Sequence, residues 1–249
     1  MKVIFLNTWH GKMKHELSAY IQKHQQTTDV FCFQESPAEN RSVYEALLAN
    51  DFQMFNAERR EDDGSWFSNT MYVRKALPII NNGGLFTTNP NGAAVGIAAF
   101  VTLQLGAEEL TICNIHGAPL PGHKLDTSAR LYQSKTIIDT FKDHNAVIIG
   151  GDFNLLPQTQ SVQTFAEHGY RNLIAEYDIK STRNHITYER YPDNIQYHAD
   201  YAFVSPAIKV VDFTVPTEIV SDHQPLELTY QLQPVALLQP AAHDQFALA

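Results

Sequence analysis

The chain has 249 residues, of which 44% are hydrophobic and 18% charged, the composition of an ordinary soluble globular protein. Its formal net charge of −9 and the lack of a long Lys/Arg run argue against strong nonspecific binding to long nucleic acid, which depends on cationic contacts to phosphates. No apolar run approaches a membrane span, and the first is too short for a signal peptide, so we expect a cytoplasmic protein.

Hydrophobic patterning predicts an alternation of strands and helices that becomes mainly strands after the second helix. Strands are predicted near 2–7, 29–34, 52–57, 67–73, 77–86, 95–105, 109–115, 146–151, 197–204, 207–216 and 224–231. Helices are predicted near 13–24, 40–49, 126–142 and 158–168, with Asn40 marking the start of the second. Asn82-Gly83-Gly84 and Asn89-Pro90-Asn91-Gly92 predict turns. The two cysteines, Cys32 and Cys113, lie in apolar runs and are expected to be buried free thiols.

A recurring feature of the predicted strands is an acidic, amide or imidazole residue at one end of an apolar run. These residues are Asn7, Glu35, His116, Asp152 with Asn154, Asp200, and Asp222 with His223. Because such residues lie at the rim of a sheet, their number indicates one shared site drawn from the whole chain. Hard oxygen ligands, an acid, a base and an amide donor are what metal-assisted hydrolysis of a phosphate ester requires.

The order of these elements predicts an α/β protein. Adjacent strands imply antiparallel pairing, and the helices need an outer sheet face to cover. We therefore predict a four-layer α/β/β/α sandwich of two mixed β-sheets with helices on the outer faces. Since the polar strand ends run from residue 7 to residue 223, residues 1–233 are expected to form a single domain, followed by a loosely ordered tail over 234–249.

Five short motifs occur in a fixed order, and each is weak by itself. They are Gln34-Glu35, Asn114-Ile115-His116, Gly151-Asp152-Phe153-Asn154, Asp200-Tyr201-Ala202-Phe203-Val204-Ser205 and Ser221-Asp222-His223-Gln224-Pro225. Together they resemble the motifs of the endonuclease/exonuclease/phosphatase superfamily, and the resemblance covers residues 1–231. This superfamily includes deoxyribonuclease-like enzymes, abasic-site endonucleases, inositol polyphosphate phosphatases, neutral sphingomyelinases, deadenylases and tyrosyl-DNA phosphodiesterases.

The resemblance implies catalytic roles for five residues. His223 would activate or orient the attacking water, for which a neutral imidazole with a pKa of about 6.5 is suited. Asp200 would hydrogen-bond His223 and fix its tautomer. Asp152 would orient the water or bind a second metal, so that either Asp152 or His223 is the general base. Asn154 would donate to a phosphoryl oxygen, and His116 would donate to the phosphate or protonate the leaving group.

The resemblance also implies a Mg²⁺ or Mn²⁺ site. Glu35 resembles the principal ligand, Asn7 would bind beside it through its amide oxygen, and Asp222 would lie close to the metal. Because Mg²⁺ takes few protein ligands and keeps several waters, these three residues would suffice. His116 argues mildly against the abasic-site endonucleases, which have Tyr at the matching position.

Three further residues are expected to bind substrate, namely Asn69, Arg130 and Tyr188. Arg130 belongs with Gln133 to an Arg-x-x-Gln pattern that is common in the family, for which a packing role is at least as plausible. Tyr188 lies in a predicted substrate-facing loop that also carries Arg183, Arg190 and Tyr191. The histidines His10, His15, His123 and His168 are expected at the surface, although His10 and His123 each lie just past a motif.

These observations predict a metal-dependent phosphoesterase that hydrolyses a phosphodiester or phosphomonoester by in-line water attack, with a small-molecule or lipid-headgroup phosphate as substrate. The alternative is an endonuclease or exonuclease acting on DNA or RNA, since acidic nucleases occur in the family although the charge does not indicate nucleic acid. The third reading is a non-catalytic binding domain, which the presence of every expected catalytic residue argues against. We expect a monomer.

Overall fold

The computed structural model describes residues 1–60, 66–88 and 94–233. Within these ranges the strands are β1 (Lys2–Asn7), β2 (Val30–Gln34), β3 (Phe52–Arg60), β4 (Trp66–Arg74), β5 (Ile79–Thr88), β6 (Ala94–Leu105), β7 (Glu108–His116), β8 (Ala146–Asp152), β9 (Arg171–Asn172), β10 (Asp200–Val204), β11 (Ile208–Thr214) and β12 (Leu226–Leu232). The first sheet has the order β11-β12-β1-β2-β4-β3, and the second has the order β5-β6-β7-β8-β10-β9. Both sheets are mixed, because β1 pairs with β2 and β7 pairs with β8 in parallel while the other neighbours are antiparallel.

The α-helices are α1 (Lys14–His24), α2 (Ala38–Leu48), α3 (Ser128–Phe141), α4 (Gln160–Glu167), α5 (Leu173–Glu176) and α6 (His185–Arg190). Helices α1 to α4 lie on the outer faces of the two sheets. Tyr20 of α1 and Tyr44 of α2 pack on Ile4 and Phe33 of the first sheet. Side chains of α3 and α4, such as Phe141 and Phe165, pack on the second sheet. The predicted four-layer α/β/β/α sandwich is confirmed.

The two sheets pack against each other through their inner faces. Successive strand residues point to opposite faces, so Val3 and Phe5 of β1 join the core between the sheets, whereas Ile4 faces the helices. The sheets approach each other closely where a Cβ at Gly150 would lie 2.7 Å from the ring of Phe5. Only glycine fits there without displacing that ring, and such overpacking of a core costs about 1–3 kcal/mol. Cys32 and Cys113 are buried free thiols, as predicted.

Several predicted boundaries differ from the structure. The second helix begins at Ala38, directly after Pro37, so the prediction that Asn40 marks its start is wrong. Pro37 lacks an N–H and has a fixed φ, which suits the residue before a helix. Residues 82–84 lie inside β5 rather than in a turn, since Gly83 pairs with Phe100. The turn predicted at Asn89-Pro90-Asn91-Gly92 lies outside the described residues.

The region between β8 and β10 contains elements that patterning did not predict. The strand β9 and the helices α5 and α6 are only two, four and six residues long, too short for a periodic pattern. Side chains of Asn172 and Asn184 cap α5 and α6, respectively. None of the helices in the described ranges has the length and apolarity to cross a membrane. The predicted domain limits stay a prediction, because the tail over 234–249 is not described.

Candidate active site

The sheet topology brings the polar strand ends to one rim. The parallel pairs β1/β2 and β7/β8 place Asn7 beside Gln34 and His116 beside Asp152. The antiparallel strand β10 begins at the same rim, with Asp200 paired to Asp152. Gly151 precedes Asp152 with a φ of 125°, and a Cβ there would lie 2.3 Å from the carbonyl oxygen of Ile115. Glycine is therefore needed to turn β8 into the site.

Asp200, His223 and Asp152 form the buried centre of the site. His223 Nδ1 lies 2.9 Å from both carboxylate oxygens of Asp200, and Thr182 Oγ1 donates to Asp200 Oδ2 at 2.8 Å. These contacts fix the orientation of the imidazole ring, and His223 Nε2 lies 3.7 Å from Asp152 Oδ2. Ligand atoms of the three residues lie within 4.8 Å of one another, but Nδ1 is committed to Asp200. The arrangement resembles an acid–imidazole pair aimed at a second carboxylate.

The electrostatic environment favours the charged forms of His223 and Asp152, whereas burial raises the pKa of Asp200 against the opposing effect of His223. Burial lowers the pKa of His223, but the adjacent Asp200 and the more distant Asp152 outweigh it and raise that pKa to about 9. Burial raises the pKa of Asp152, yet His223 and the other cationic groups around it lower that pKa to about 2. The predicted neutral imidazole of ordinary pKa is therefore not the form that this environment favours.

Glu35 and Asp152 converge on the amide of Asn7. Asn7 Nδ2 donates to Glu35 Oε1 at 3.2 Å and to Asp152 Oδ2 at 3.0 Å, while its Oδ1 accepts from the backbone of Trp9 at 3.0 Å. The amide nitrogen, and not the predicted oxygen, therefore faces the carboxylates. His10 is exposed, as expected, but its Nε2 lies 3.1 Å from Glu35 Oε2 and it also lines the cavity of the site.

His116 lies between the same two carboxylates. Its Nε2 is 3.8 Å from Glu35 Oε1 and 3.8 Å from Asp152 Oδ2, and its ring stacks on Phe67 at 4.2 Å between centroids. Burial lowers the pKa of His116 despite these carboxylates, so the neutral ring is favoured. A neutral imidazole donates one N–H, which suits a hydrogen bond to an oxygen better than protonation of a leaving group.

Asn154 is held by two neighbours that fix the orientation of its amide. Its Nδ2 donates to the carbonyl oxygen of Gly117 at 3.2 Å, and its Oδ1 accepts from Lys124 Nζ at 2.6 Å. Exchanging the amide oxygen and nitrogen would place donor against donor and acceptor against acceptor, so this assignment is the consistent one. The second N–H of Nδ2 stays available for the predicted phosphoryl oxygen.

Asp222 lines the cavity close to His223, as its predicted place beside the metal requires. Thr187 Oγ1 donates to the backbone carbonyl of Asp222 at 2.8 Å and ties this segment to α6. Arg183 also lines the cavity, is 9% exposed, and has a buried Nε without a hydrogen-bond partner among the described residues. The carboxylates thus face a guanidinium from the loop before Asp200.

The structure corrects two of the predicted substrate-binding residues. Arg130 is fully buried and donates to the carbonyl oxygens of Leu125, Ala118 and Pro121 at 2.6, 3.1 and 2.8 Å. It therefore shapes the loop over 117–127 and is not free to contact a phosphate. Asn69 is also fully buried and donates to carbonyl oxygens of β6 and β7, so it links the two sheets beneath the site instead of lining it.

Tyr188 does not face the cavity either. Its hydroxyl donates to the carbonyl oxygen of Arg183 at 2.8 Å and contacts Ser181 Oγ at 2.6 Å, so it supports the loop from behind. Its neighbours on α6, Thr187 and Arg190, line the cavity. In a helix, adjacent residues point about 100° apart, which explains why the predicted loop reaches the site through other side chains.

The cavity at this rim has a volume of about 540 Å³. Its floor carries the acidic and imidazole groups, including Glu35, Asp152 and His223. Its walls add aromatic and cationic side chains, namely Trp9, Lys12, Phe67, Lys124, Arg183, Arg190 and Tyr191. A volume of this size holds a small ligand rather than a single ion.

Sequence patterning missed Lys124 and Thr182. Both are buried, at 9% and 0% exposure, and both bind residues of the catalytic motifs. Lys124 lies in an irregular loop and Thr182 in a short connection, so neither is marked by a strand end or by helical periodicity. The one signal for Lys124 was its position next to His123, which lies just past a motif.

A comparison with protein-family models identifies the family to which the chain belongs. The model of the endonuclease/exonuclease/phosphatase family matches residues 4–223. The chain belongs to this family. The family is hydrolytic and generally depends on divalent metal ions. A comparison with curated protein sequences finds no match.

Solved structures of low sequence identity share the fold. A mannosyl-6-phosphatase from Bacteroides thetaiotaomicron is 17% identical, with a TM-score of 0.72 over 93% of this chain and 100% of that chain. The human nocturnin catalytic domain with bound sulfate is 15% identical, with a TM-score of 0.73 over 94% of this chain and 93% of that chain. Truncated TDP2 from Caenorhabditis elegans is 15% identical, with a TM-score of 0.69 over 92% of this chain and 96% of that chain. At these identities the likeness concerns the fold alone.

Proposed function

We propose that this chain is a Mg²⁺- or Mn²⁺-dependent phosphoric ester hydrolase that cleaves a small phosphate ester by in-line attack of water. The observation that carries the proposal is the buried arrangement of Asp200, His223 and Asp152 at the floor of the cavity, with His223 Nε2 3.7 Å from Asp152 Oδ2. Two carboxylates and an imidazole of fixed orientation are suited to holding a water and the oxygens of a phosphoryl group.

Asp152 and His223 are the groups placed to handle the nucleophile. A water about 2.8 Å from both Asp152 Oδ2 and His223 Nε2 would make ordinary hydrogen bonds to each. With Asp152 ionised and His223 protonated, Asp152 accepts the proton of the water as its oxygen bonds to phosphorus, and His223 donates to a phosphoryl oxygen. The ester P–O bond breaks on the opposite side, and its electron pair leaves with the ester oxygen as an alkoxide, which takes a proton from solvent to become the alcohol.

The donor set around Asn7 fits a hard divalent cation. Glu35 Oε1 and Asp152 Oδ2 both lie within 3.2 Å of Asn7 Nδ2, so two carboxylates converge on one point, and Asp222 lines the same cavity. Ligation by Asn7 itself needs its amide oxygen towards the carboxylates, the reverse of the observed orientation. When bound, the ion would neutralise charge on the phosphoryl group and lower the pKa of a bound water.

The shape and charge of the cavity support a small anionic substrate. A volume of about 540 Å³ is within the usual range for small-molecule sites. Four cationic side chains, Lys12, Lys124, Arg183 and Arg190, line the cavity of a chain whose formal net charge is −9. Such local concentration of positive charge attracts an anion in spite of the net charge. The fold neighbour that is a mannosyl-6-phosphatase supports a phosphorylated metabolite or headgroup.

One feature of the cavity rim favours a nuclease as the second candidate. The guanidinium of Arg190 lies 5.8 Å from the centroid of the Trp9 ring and 5.1 Å from that of Tyr191. Aromatic rings flanked by cations are the surfaces on which unpaired bases stack. An enzyme that uses them in this way would cleave single-stranded DNA or RNA.

The test is hydrolysis of p-nitrophenyl phosphate and bis-p-nitrophenyl phosphate with Mg²⁺, Mn²⁺ or EDTA, beside a single-stranded oligonucleotide and a plasmid. Wild type is compared with His223→Ala, Glu35→Ala and the matched control His168→Ala, which changes an exposed histidine at the C-terminal end of α4. We expect metal-dependent cleavage of the small esters in wild type and in the control, and loss of it in both site variants.

Each other outcome has a defined meaning. Cleavage of the oligonucleotide but not of the esters would replace the small-ester proposal with the nuclease. Activity that survives EDTA and the Glu35→Ala change would overturn the metal assignment. Absence of hydrolysis of every substrate, in a chain that binds Mg²⁺ by calorimetry, would favour the non-catalytic binding domain.

A further inference from the structure

Lys124 is a buried cation whose neighbours do not neutralise it. Its ammonium donates to the carbonyl oxygen of Pro119 and to Asn154 Oδ1, both at 2.6 Å, and both acceptors are uncharged. Among the described residues no carboxylate forms an ion pair with it. An ammonium has three N–H donors, so two are used and one is left. A buried charge with an unused donor is costly unless a ligand compensates it.

The position of Lys124 is fixed from several sides. Arg130 holds the loop over 117–127 through three of its carbonyl oxygens, and Gln133 accepts from the backbone of Ala118 at 3.1 Å. Asp126 accepts from the backbone of Ser161 at 3.0 Å and ties the same loop to α4. A lysine side chain ordinarily loses much conformational entropy when it binds a ligand. The side chain of Lys124 is already ordered in the folded chain, so ligand binding would cost less entropy.

The surroundings of Lys124 indicate an anionic ligand. Burial lowers the pKa of Lys124 to about 8, against the attraction of Asp152 and Glu35. Lys124 lines the cavity together with Asp152, Asn154 and His223. It also holds the oxygen of the Asn154 amide, which turns the amide nitrogen towards the other groups of the site. Charge and geometry both place a cationic donor next to the predicted phosphoryl donor.

We propose that Lys124 binds a non-bridging oxygen of the substrate phosphoryl group, beside Asn154, and stabilises the charge that grows there in the transition state. This inference rests on the function proposed above. Lys124 stays protonated throughout, so it forms and breaks no covalent bond, and the proton of the attacking water goes to Asp152. Lys124 is thus a catalytic residue in the sense that it touches the reacting group.

The competing explanation is that Lys124 merely clamps the loop to Asn154. The charge of the side chain distinguishes the two roles. A clamp on the loop needs only hydrogen-bond donors, whereas binding of a phosphoryl oxygen in the proposed way needs a cation. The variant Lys124→Cys can be alkylated to carry either a cation or a neutral hydrogen-bond donor at this position. Alkylation with 2-bromoethylamine restores an ammonium of nearly the original length, whereas iodoacetamide adds a neutral amide that still donates. Cys32 and Cys113 are 0% exposed, so the introduced thiol is the one that reacts in the folded chain.

The experiment measures kcat/KM on p-nitrophenyl phosphate and orthophosphate binding by calorimetry, both with Mg²⁺, and the melting temperature of every protein. The set is wild type, Lys124→Met, Lys124→Cys with each alkylating agent, and Lys135→Met, which removes an exposed cation of α3. We expect Lys124→Met to lower kcat/KM about 100-fold, as loss of one transition-state donor does, and to weaken phosphate binding at least about tenfold. Aminoethylation of Lys124→Cys should restore most of kcat/KM and most of the phosphate affinity. Lys135→Met should change neither quantity.

The outcomes separate this inference from the proposed function. Equal restoration by both alkylating agents, or unchanged phosphate affinity in Lys124→Met, would overturn the assignment of Lys124 while wild-type hydrolysis stands. Failure of wild type to hydrolyse any ester, with phosphate binding that still depends on the ammonium, would overturn the proposed hydrolase and keep Lys124 as an anion ligand. A wild type that neither binds phosphate nor cleaves esters would overturn both.

Discussion

The two ends of β1 lie beside ionisable groups that are buried in opposite ways. Near the start of β1, Glu227 accepts from Lys2 Nζ at 2.5 Å and from the Tyr20 hydroxyl at 2.6 Å, so its charge and both oxygens are satisfied. At the other end of β1, the carboxylates of Asp152 and Glu35 converge on the single amide of Asn7. The first region is complete without a ligand, and the second is not.

The difference shows how one fold separates stability from function. Glu227 is paired with a cation of the chain itself, whereas Glu35 and Asp152 converge on a neutral amide and leave a place for a cation from outside. A site built in this way is held by the rigid sheets that surround it. Substitutions at the catalytic rim should therefore remove activity, whereas those around Glu227 should cost stability and leave activity unchanged.

The largest expected effect is that of Asp152→Asn. Loss of the group that orients and deprotonates the water should lower kcat/KM about 10⁴-fold. The melting temperature should also fall at pH 7, because the surrounding cationic groups hold the pKa of Asp152 at about 2 and its charge therefore stabilises the folded chain. Steady-state kinetics and calorimetric melting check both statements, with Asp139→Asn on the exposed face of α3 as the control. Activity close to that of wild type would remove Asp152 from the mechanism.

Asp200→Asn should reduce kcat about 10³-fold. The new amide would donate to His223 Nδ1 or misorient the ring, so the tautomer that presents Nε2 correctly is lost. Thr182→Val, which removes the hydrogen bond to Asp200 Oδ2, should cost about tenfold because the carboxylate keeps its charge. Kinetics combined with ¹⁵N NMR of the imidazole nitrogens measures both. Equal activity of Asp200→Asn and wild type would remove Asp200 from the mechanism.

Arg130→Met should destabilise the protein by about 3 kcal/mol, because three backbone carbonyls lose their donor. Activity should fall about tenfold as well, since the loop over 117–127 carries Lys124. Urea unfolding and kcat/KM measure the two effects, and Arg171→Met in an exposed ion pair with Glu176 is the control. Loss of activity without loss of stability would restore the predicted phosphate contact for Arg130.

Glu227→Gln should cost about 2 kcal/mol at pH 7 and leave kcat/KM unchanged. Burial raises the pKa of Glu227, but the hydrogen bonds from Lys2 and Tyr20 outweigh it and hold the pKa below its ordinary 4.5. The unfolded chain therefore binds more protons, so this stabilisation is present above pH 4.5 and is lost as the pH falls through the folded pKa.

Urea unfolding of wild type and Glu227→Gln between pH 7 and pH 3 follows that loss. The two free energies of unfolding should approach each other as the pH falls below 4.5. Glu218→Gln, in an exposed pair with Lys23, should track wild type at every pH. A constant difference between wild type and Glu227→Gln across this range would show that Glu227 acts through packing and not through its charge.

Local patterns in the sequence predicted the layers and most strands. Alternation in β1, with Val3 and Phe5 facing one way and Ile4 the other, already implies a strand buried on two faces. The strand ends Glu35, His116 and Asp152 were also visible, because a polar residue that closes an apolar run must lie at a rim. The structure confirms the layers, and it brings His116 Nε2 to 3.8 Å from a carboxylate oxygen of Glu35 and to 3.8 Å from one of Asp152.

What the sequence alone determined is therefore the set of elements and the polar residues that end them, since both follow from periodicity along the chain. The tertiary structure decided which side chains reach the cavity. In the structure, Asn69, Arg130 and Tyr188 donate to backbone carbonyl oxygens around the site and do not line the cavity. Lys124 and Thr182 donate to the site residues Asn154 and Asp200. The partners of these five donors lie up to 45 residues away in sequence, so these contacts come from the packing of separate elements and leave no local pattern.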